Sequence, residues 1–137
     1  MFDYASLLDV NRNGVLATTD GDRVQTRVFA YLFTVEGRPY FCTGTEKPVY
    51  AQLQKNPELS FCTFTPDFDP VLCLNGRAVF VDDRALKARA LEEDPGLVPI
   101  YHAPDYPGFA LFYIDLREVK TYTFADDVTV YKVNEQS

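Results

Sequence analysis

Residues 24–35, VQTRVFAYLFTV, form a β-rich run that is apolar on both of its alternating faces. Val24, Val28, Ala30 and Leu32 fall on one face. Phe29, Tyr31, Phe33 and Val35 fall on the other, together with Arg27. A strand with one wet face alternates apolar and polar residues, so a strand that does not is covered on both sides. This predicts a barrel wall that is covered again from outside, by a helix or by a second subunit. Arg27 is the exception in the run, and a guanidinium among apolar neighbours is costly unless something pairs with it.

The rest of the chain supplies the other walls. Residues 15–19, VLATT, read as a strand, and DGD at 20–22 as a tight turn. EGRP at 36–39 turns the long run into the strand YFCT. LSFCTF and VLCLNGRAVFV are further strands separated by the loop TPDFDP, with Gly76 marking a bulge or a barrel corner. FALFYIDL and EVKTYTF read as two strands joined near Arg117-Glu118, and VTVYKV as an extended tail. Helical spacing appears in DYASLLDVNRNG, closed by Asn13-Gly14, and in DDRALKARALEED. It appears also in TEKPVYAQLQKNP, with Thr45 as N-cap, Pro48 in the first turn and Asn56-Pro57 as the stop. The expectation is a mainly β, α+β chain: one domain over residues 1–137, an antiparallel barrel of about six to seven strands with two or three short helices.

Composition narrows the function classes. The net charge of −7 disfavours nucleic acid and anionic membrane surfaces as partners, and the 13 Lys and Arg are scattered. No apolar run approaches a membrane span, and the N-terminus lacks the basic start and apolar core of a secretion signal, so a cytoplasmic protein is expected. The single His102 sets aside zinc and carboxylate–histidine iron centres. Cys42, Cys62 and Cys73 sit in strands and read as reduced core thiols. Cys42 has Lys47 where a phosphatase loop needs Arg, so it is not read as a nucleophile. The pairs Asp82-Asp83, Glu92-Glu93 and Asp126-Asp127 read as solvated caps.

One junction stands out, FCTGTEKPVYAQLQKNP at 41–57. Thr43, Thr45 and Lys47 gather hydroxyls and a cation where a strand hands over to a helix start, which suits an anion such as phosphate. Because the strand carrying Arg27 hairpins into the strand ending at Thr43, Arg27 can join them. A capped helix with a surface lysine, and an Arg27 paired with an acid, is the alternative.

The ordered series of VLATT, the Arg-containing strand TRVFAY, the hairpin EGRPYFCT, Lys47 at a helix start and the close LQKNP resembles the pyridoxamine 5′-phosphate oxidase-like superfamily of FMN-binding split β-barrels. NGRAVFVDD followed by a helix and strands also fits, and the small, nitroimidazole-resistance-like members are the most similar. The resemblance implies a homodimer with flavin sites at the interface and flavin redox chemistry on a small molecule. In it, Arg27 and Lys47 contact the FMN phosphate with help from Thr43 and Thr45, and the backbone at Val28 and Phe29 runs along the flavin ring. Val71 stands where larger oxidases place a glutamine reaching the partner's flavin, and Glu46 replaces a basic residue, which argues against pyridoxamine phosphate as the substrate. Flavin or haem carriage without turnover, and a deazaflavin-dependent reductase, are the other activities this resemblance allows.

Overall fold

The computed structural model describes residues 2–125 and 127–133. Helix α1 (Tyr4–Val10) is capped by Asp3, whose carboxylate accepts from the Ser6 N–H. It closes at Asn11. Asn13 and Gly14, expected to end this helix, instead open strand β1 (Asn13–Asp20). Gly14 lies against the Cys62 carbonyl and the Phe61 ring, where a larger side chain has no room.

The long apolar run is two strands rather than one. Strand β2 (Arg23–Ala30) pairs with β1 along its whole length, and β3 (Phe33–Val35) pairs with β4 (Arg38–Gly44). Tyr31 and Leu32 make the switch: the Tyr31 N–H donates to the Arg12 carbonyl and the Leu32 N–H to the Tyr40 carbonyl. The Arg12 guanidinium secures the link by donating to the Leu32 carbonyl at 2.6 Å. The doubly apolar pattern therefore has two causes. Tyr31, Leu32 and Phe33 are buried where the chain changes partner, and Val24 and Val28 face outward from β2, 71% and 74% exposed.

Helix α2 (Pro48–Lys55) follows β4, then strands β5 (Glu58–Phe64) and β6 (Val71–Val81), helix α3 (Arg84–Glu93), a 3₁₀ turn (Pro95–Leu97), helix α4 (Val98–Tyr101), and strands β7 (Phe109–Tyr122) and β8 (Thr129–Lys132). The sheet order is β2-β1-β5-β6-β7-β4-β3, with β8 also on β7, all antiparallel. The two edge strands β2 and β3 are consecutive in the chain and two residues apart, so the sheet curls into a barrel that stays split between them. Eight strands pair among the described residues, close to the six to seven expected: the long run divides and the tail VTVYKV pairs as β8, while FALFYIDL and EVKTYTF merge into one strand.

FALFYIDL and EVKTYTF are not two strands. They form the continuous β7, and the joint read at Arg117-Glu118 is a bulge in it. Asn75 pairs with Glu118 and Gly76 with Leu116, so Arg117 is the extra residue. Gly76 sits at that point because a Cβ there would strike the Asp115 carbonyl. The hairpin at Glu36-Gly37 has positive φ at both central residues, the turn that matches strand twist.

Phe41 lies at the centre of the core with no exposure, its ring 4.8 Å from Phe61 and 5.7 Å from Phe112. Truncation of such a side chain to alanine costs about 3–5 kcal/mol. No helix among the described residues is long and apolar enough to cross a membrane.

Candidate anion and ring-binding cavity

A cavity of about 540 Å³ opens between β2, the end of β4, the start of α2 and the segment from Asp94 to Tyr101. That is the size of a small-molecule or cofactor site. Five of the six expected site residues line it: Arg27, Val28, Phe29, Thr43 and Lys47. Thr45 does not. It lines a separate hollow with Tyr50 and Lys87, and its N–H donates to the Gly108 carbonyl.

Thr45 is also not the helix cap. Lys47 takes that position with extended backbone and no side-chain cap bond, and Pro48 is the first helical residue. The reason is local. The Lys47 N–H turns back to the Gly44 carbonyl, so the helix starts two residues later than a threonine cap would start it. Proline brings no N–H, so the junction offers fewer backbone donors to an anion than its sequence suggests, and the side-chain cations carry more of the charge. Glu46 is exposed and takes no part in the cavity wall.

Arg27 is held without an acid. Its Nη1 donates to the Thr18 hydroxyl at 2.8 Å and to the Leu16 carbonyl at 3.2 Å, and its Nη2 donates to Gln52 Oε1 at 2.6 Å. The Thr18 hydroxyl in turn donates to Gln52 Oε1 at 2.6 Å, closing a triangle. Among the described residues no carboxylate lies within ion-pair distance of Arg27 or of Lys47. An acid partner for Arg27 is therefore excluded here, and burial lowers its pKa with no anion to offset it.

The remaining wall is apolar: Val28, Phe29, Leu32, Val49, Leu97 and Ile100. Phe29 anchors its side by packing edge-on to Phe112, with ring centroids 6.0 Å apart. Asp94 and Tyr101 are the acidic and phenolic groups of the wall. Asp94 accepts from the Gly96 N–H, and burial pushes Tyr101 up to about 12. Cys42 is pushed up to about 12, chiefly by burial and next by the Asp94 charge, which agrees with an inert thiol.

Gln52, Thr18, Asp94 and Tyr101 were not anticipated. Gln52 alone carried a signal: it lies three residues after Val49 and next to Leu53, so it is a polar residue on the inward side of α2. The capping role expected for the acidic pairs holds at Asp83, which accepts from Leu86 N–H. Asp126 lies outside the described residues.

No protein-family profile matches the chain, and no curated protein sequence matches it. Solved structures do. A NimC/NimA family protein from Clostridium acetobutylicum superposes with a TM-score of 0.83 at 26% identity, over 93% of this chain and 88% of the other. A pyridoxamine 5′-phosphate oxidase-related, FMN-binding protein from Nostoc punctiforme superposes at 0.67 and 17% identity, over 91% and 82%. A haem-binding protein from Mycobacterium smegmatis superposes at 0.77 and 17%, covering 93% of this chain and 55% of that one. The chain thus has the split β-barrel fold that it shares with these NimC/NimA family, FMN-binding and haem-binding proteins.

Proposed function

We propose that this chain is a homodimeric FMN-binding oxidoreductase that uses the flavin on a small neutral molecule, with residues 1–137 acting as one flavin-binding domain. The observation that carries the reading is the pair of cations, Arg27 and Lys47, that meet one cavity with no ion-pair partner on either among the described residues. A dianion satisfies both, and charge-assisted contacts of this kind are the strong ones. Thr43 adds a hydroxyl, and the apolar wall from Val28 to Ile100 suits a flat ring. Bound FMN would supply the hydride chemistry. The protein would hold the phosphate with Arg27 and Lys47, keep water from the ring with Leu32, Leu97 and Ile100, and seat the ring edge along the Val28–Phe29 backbone.

Haem carriage is the weaker reading. The histidine that could ligate a haem iron, His102, lies outside the cavity wall, whereas two cations on that wall suit a phosphate.

The dimer would cover the outward face of β2. Val24, Val28 and Val15 are exposed there, and the same sheet face continues to Phe64. A second copy would cover these exposed apolar side chains, and it suits this face because the flavin cavity opens against the same strand. A reducing, cytoplasmic setting fits the three free thiols.

The test is an absorbance spectrum of the purified protein with mass spectrometry of the released ligand. FMN and anaerobic bleaching by a nicotinamide donor are expected. A released haem or deazaflavin, or no binding of added FMN, would overturn the reading.

A further inference from the structure

The three cysteines do not behave alike. Cys42 lies on β4 opposite Leu111, apart from the others. Cys62 on β5 and Cys73 on β6 are directly opposed in register. Opposed residues of an antiparallel pair have Cα atoms roughly 4.5 or 5.5 Å apart and side chains on the same face, and both spacings fall inside the range a disulfide spans. The face is the outer one. Along β5 the buried positions are Leu59, Phe61 and Thr63, so Ser60 and Cys62 point the other way, and Ser60 bonds to Asn75, two residues from Cys73. Both thiols are free.

We propose that Cys62 and Cys73 form a two-electron dithiol–disulfide site on the outer face of the sheet, oxidised by a hydroperoxide. Cys62 is the more exposed of the two and attacks first. Its environment agrees. The hydrogen bond from Cys73 and the nearby Lys120 ammonium draw the Cys62 thiol down to about 7, against the raising effect of burial, while Cys73 is pushed up. Lys120 is opposed to Cys73 on the next strand. Glu118, two residues before Lys120 on β7, is taken by Lys132 at 2.6 Å and by Asn75 at 2.9 Å. Tyr122 also faces the pair, its pKa raised by burial first and then by the two sulfurs.

The chemistry balances. The Cys62 thiolate attacks one peroxide oxygen, breaking the O–O bond. Cys62 becomes a sulfenic acid, and the leaving oxygen takes a proton to become water or an alcohol. The Cys73 sulfur then attacks the Cys62 sulfur and loses its proton to the departing hydroxide, which leaves as water. Two thiols supply two electrons and the peroxide is reduced. The site is independent of the flavin. It meets the dimer reading at one point, since a second copy on this face would shield Cys62.

The experiment treats the full chain with hydrogen peroxide, then alkylates, digests and maps it by mass spectrometry, at concentrations well below and well above association. Loss of two of the three thiols, a Cys62–Cys73 linked peptide within one chain and reversal by dithiothreitol are expected. Cys73→Ser should stop at a sulfenic acid on Cys62 that dimedone traps, and Cys42→Ser should leave the link intact. Oxidation confined to Cys42, a link between chains, or sulfinic acid on Cys62 beside an alkylated Cys73 in the unaltered chain would overturn the site. Faster closure on dilution supports both the site and the covered face. Equal closure at both concentrations supports the site and removes this face from the dimer contact.

Discussion

Gln52 holds Arg27 in place: its Oε1 accepts from Arg27 Nη2 at 2.6 Å and, at the same distance, from the Thr18 hydroxyl. Thr18 is only 2% exposed, so this one amide oxygen serves two donors in a largely dry corner. The guanidinium is thereby fixed in the cavity wall without being neutralised. Replacing Gln52 with leucine leaves both donors short of an acceptor, which is expected to cost about 1–3 kcal/mol in urea unfolding. Gln52→Glu should restore the bond but neutralise Arg27. Stability should then hold while FMN affinity falls, as read by fluorescence titration. Unchanged FMN affinity in Gln52→Glu would detach Arg27 from phosphate binding.

Lys47 is exposed and has no ion-pair partner among the described residues, so its charge is available to a ligand. A charge-assisted contact of about 1.5–3 kcal/mol converts to a roughly 10- to 150-fold loss of FMN affinity in Lys47→Met. Riboflavin has no phosphate, and its weaker binding should barely change. An equal loss for both ligands would make Lys47 a support of the fold.

Val24 is 71% exposed on the outer face of β2 and does not line the cavity. A second copy on this face would bury it in an obligate interface of more than about 2,000 Å². Val24→Asp is expected to move the protein toward monomer in light scattering, with the single-chain fold retained by circular dichroism. A wild-type monomer at low micromolar concentration would remove the dimer from the reading.

Alkaline pH should weaken the fold through Cys42. Its thiol goes from an ordinary value of 9.0 to about 12, burial being the main cause. The unfolded chain releases this proton above pH 9 and the folded chain does not, so the contribution is whole below 9 and is lost as pH rises from 9 toward 12. Between pH 9 and 10 the loss approaches about 1.4 kcal/mol per pH unit at most. Cys42→Val should flatten the slope of stability against pH in that interval. Tyr4 and Tyr101, also raised to about 12 by burial, act in the same direction above pH 10.

Most walls of the barrel were legible in the residues, because strands such as LSFCTF carry their own period and their own turns. What escaped was where a strand changes partner. The run 24–35 has an unbroken β composition, and only tertiary pairing tells Tyr31 and Leu32 to leave β1 for β4. The bulge at Arg117 was misread as a joint for the related reason that pairing, not propensity, decides whether β7 continues. The site divides likewise. The cations are read from the strand-to-helix junction and from a guanidinium in an apolar strand, and the ring-side residues from the family resemblance, whereas the cap position expected for Thr45 is displaced by Pro48 and the Lys47–Gly44 bond. Asp94 and Tyr101 reach the cavity from a proline-rich stretch with no period of its own. All three thiols read from the sequence as core residues. Cys62 departs because its strand neighbour, unseen in the linear sequence, is another cysteine.

Strand β7 is a single 14-residue element that pairs with β4 through its first residues, with β6 along most of its length and with β8 near its end. Among the described residues no other strand joins the β4–β3 hairpin to the rest of the sheet. A chain made only as far as Gly108 therefore lacks the strand that joins β2-β1-β5-β6 to β4-β3 by ladder hydrogen bonds, with the flanks of β4 and β6 unpaired. The sheet can therefore be completed only once β7 is present, and without it those two flanks keep open backbone edges of the kind that invite pairing with another chain.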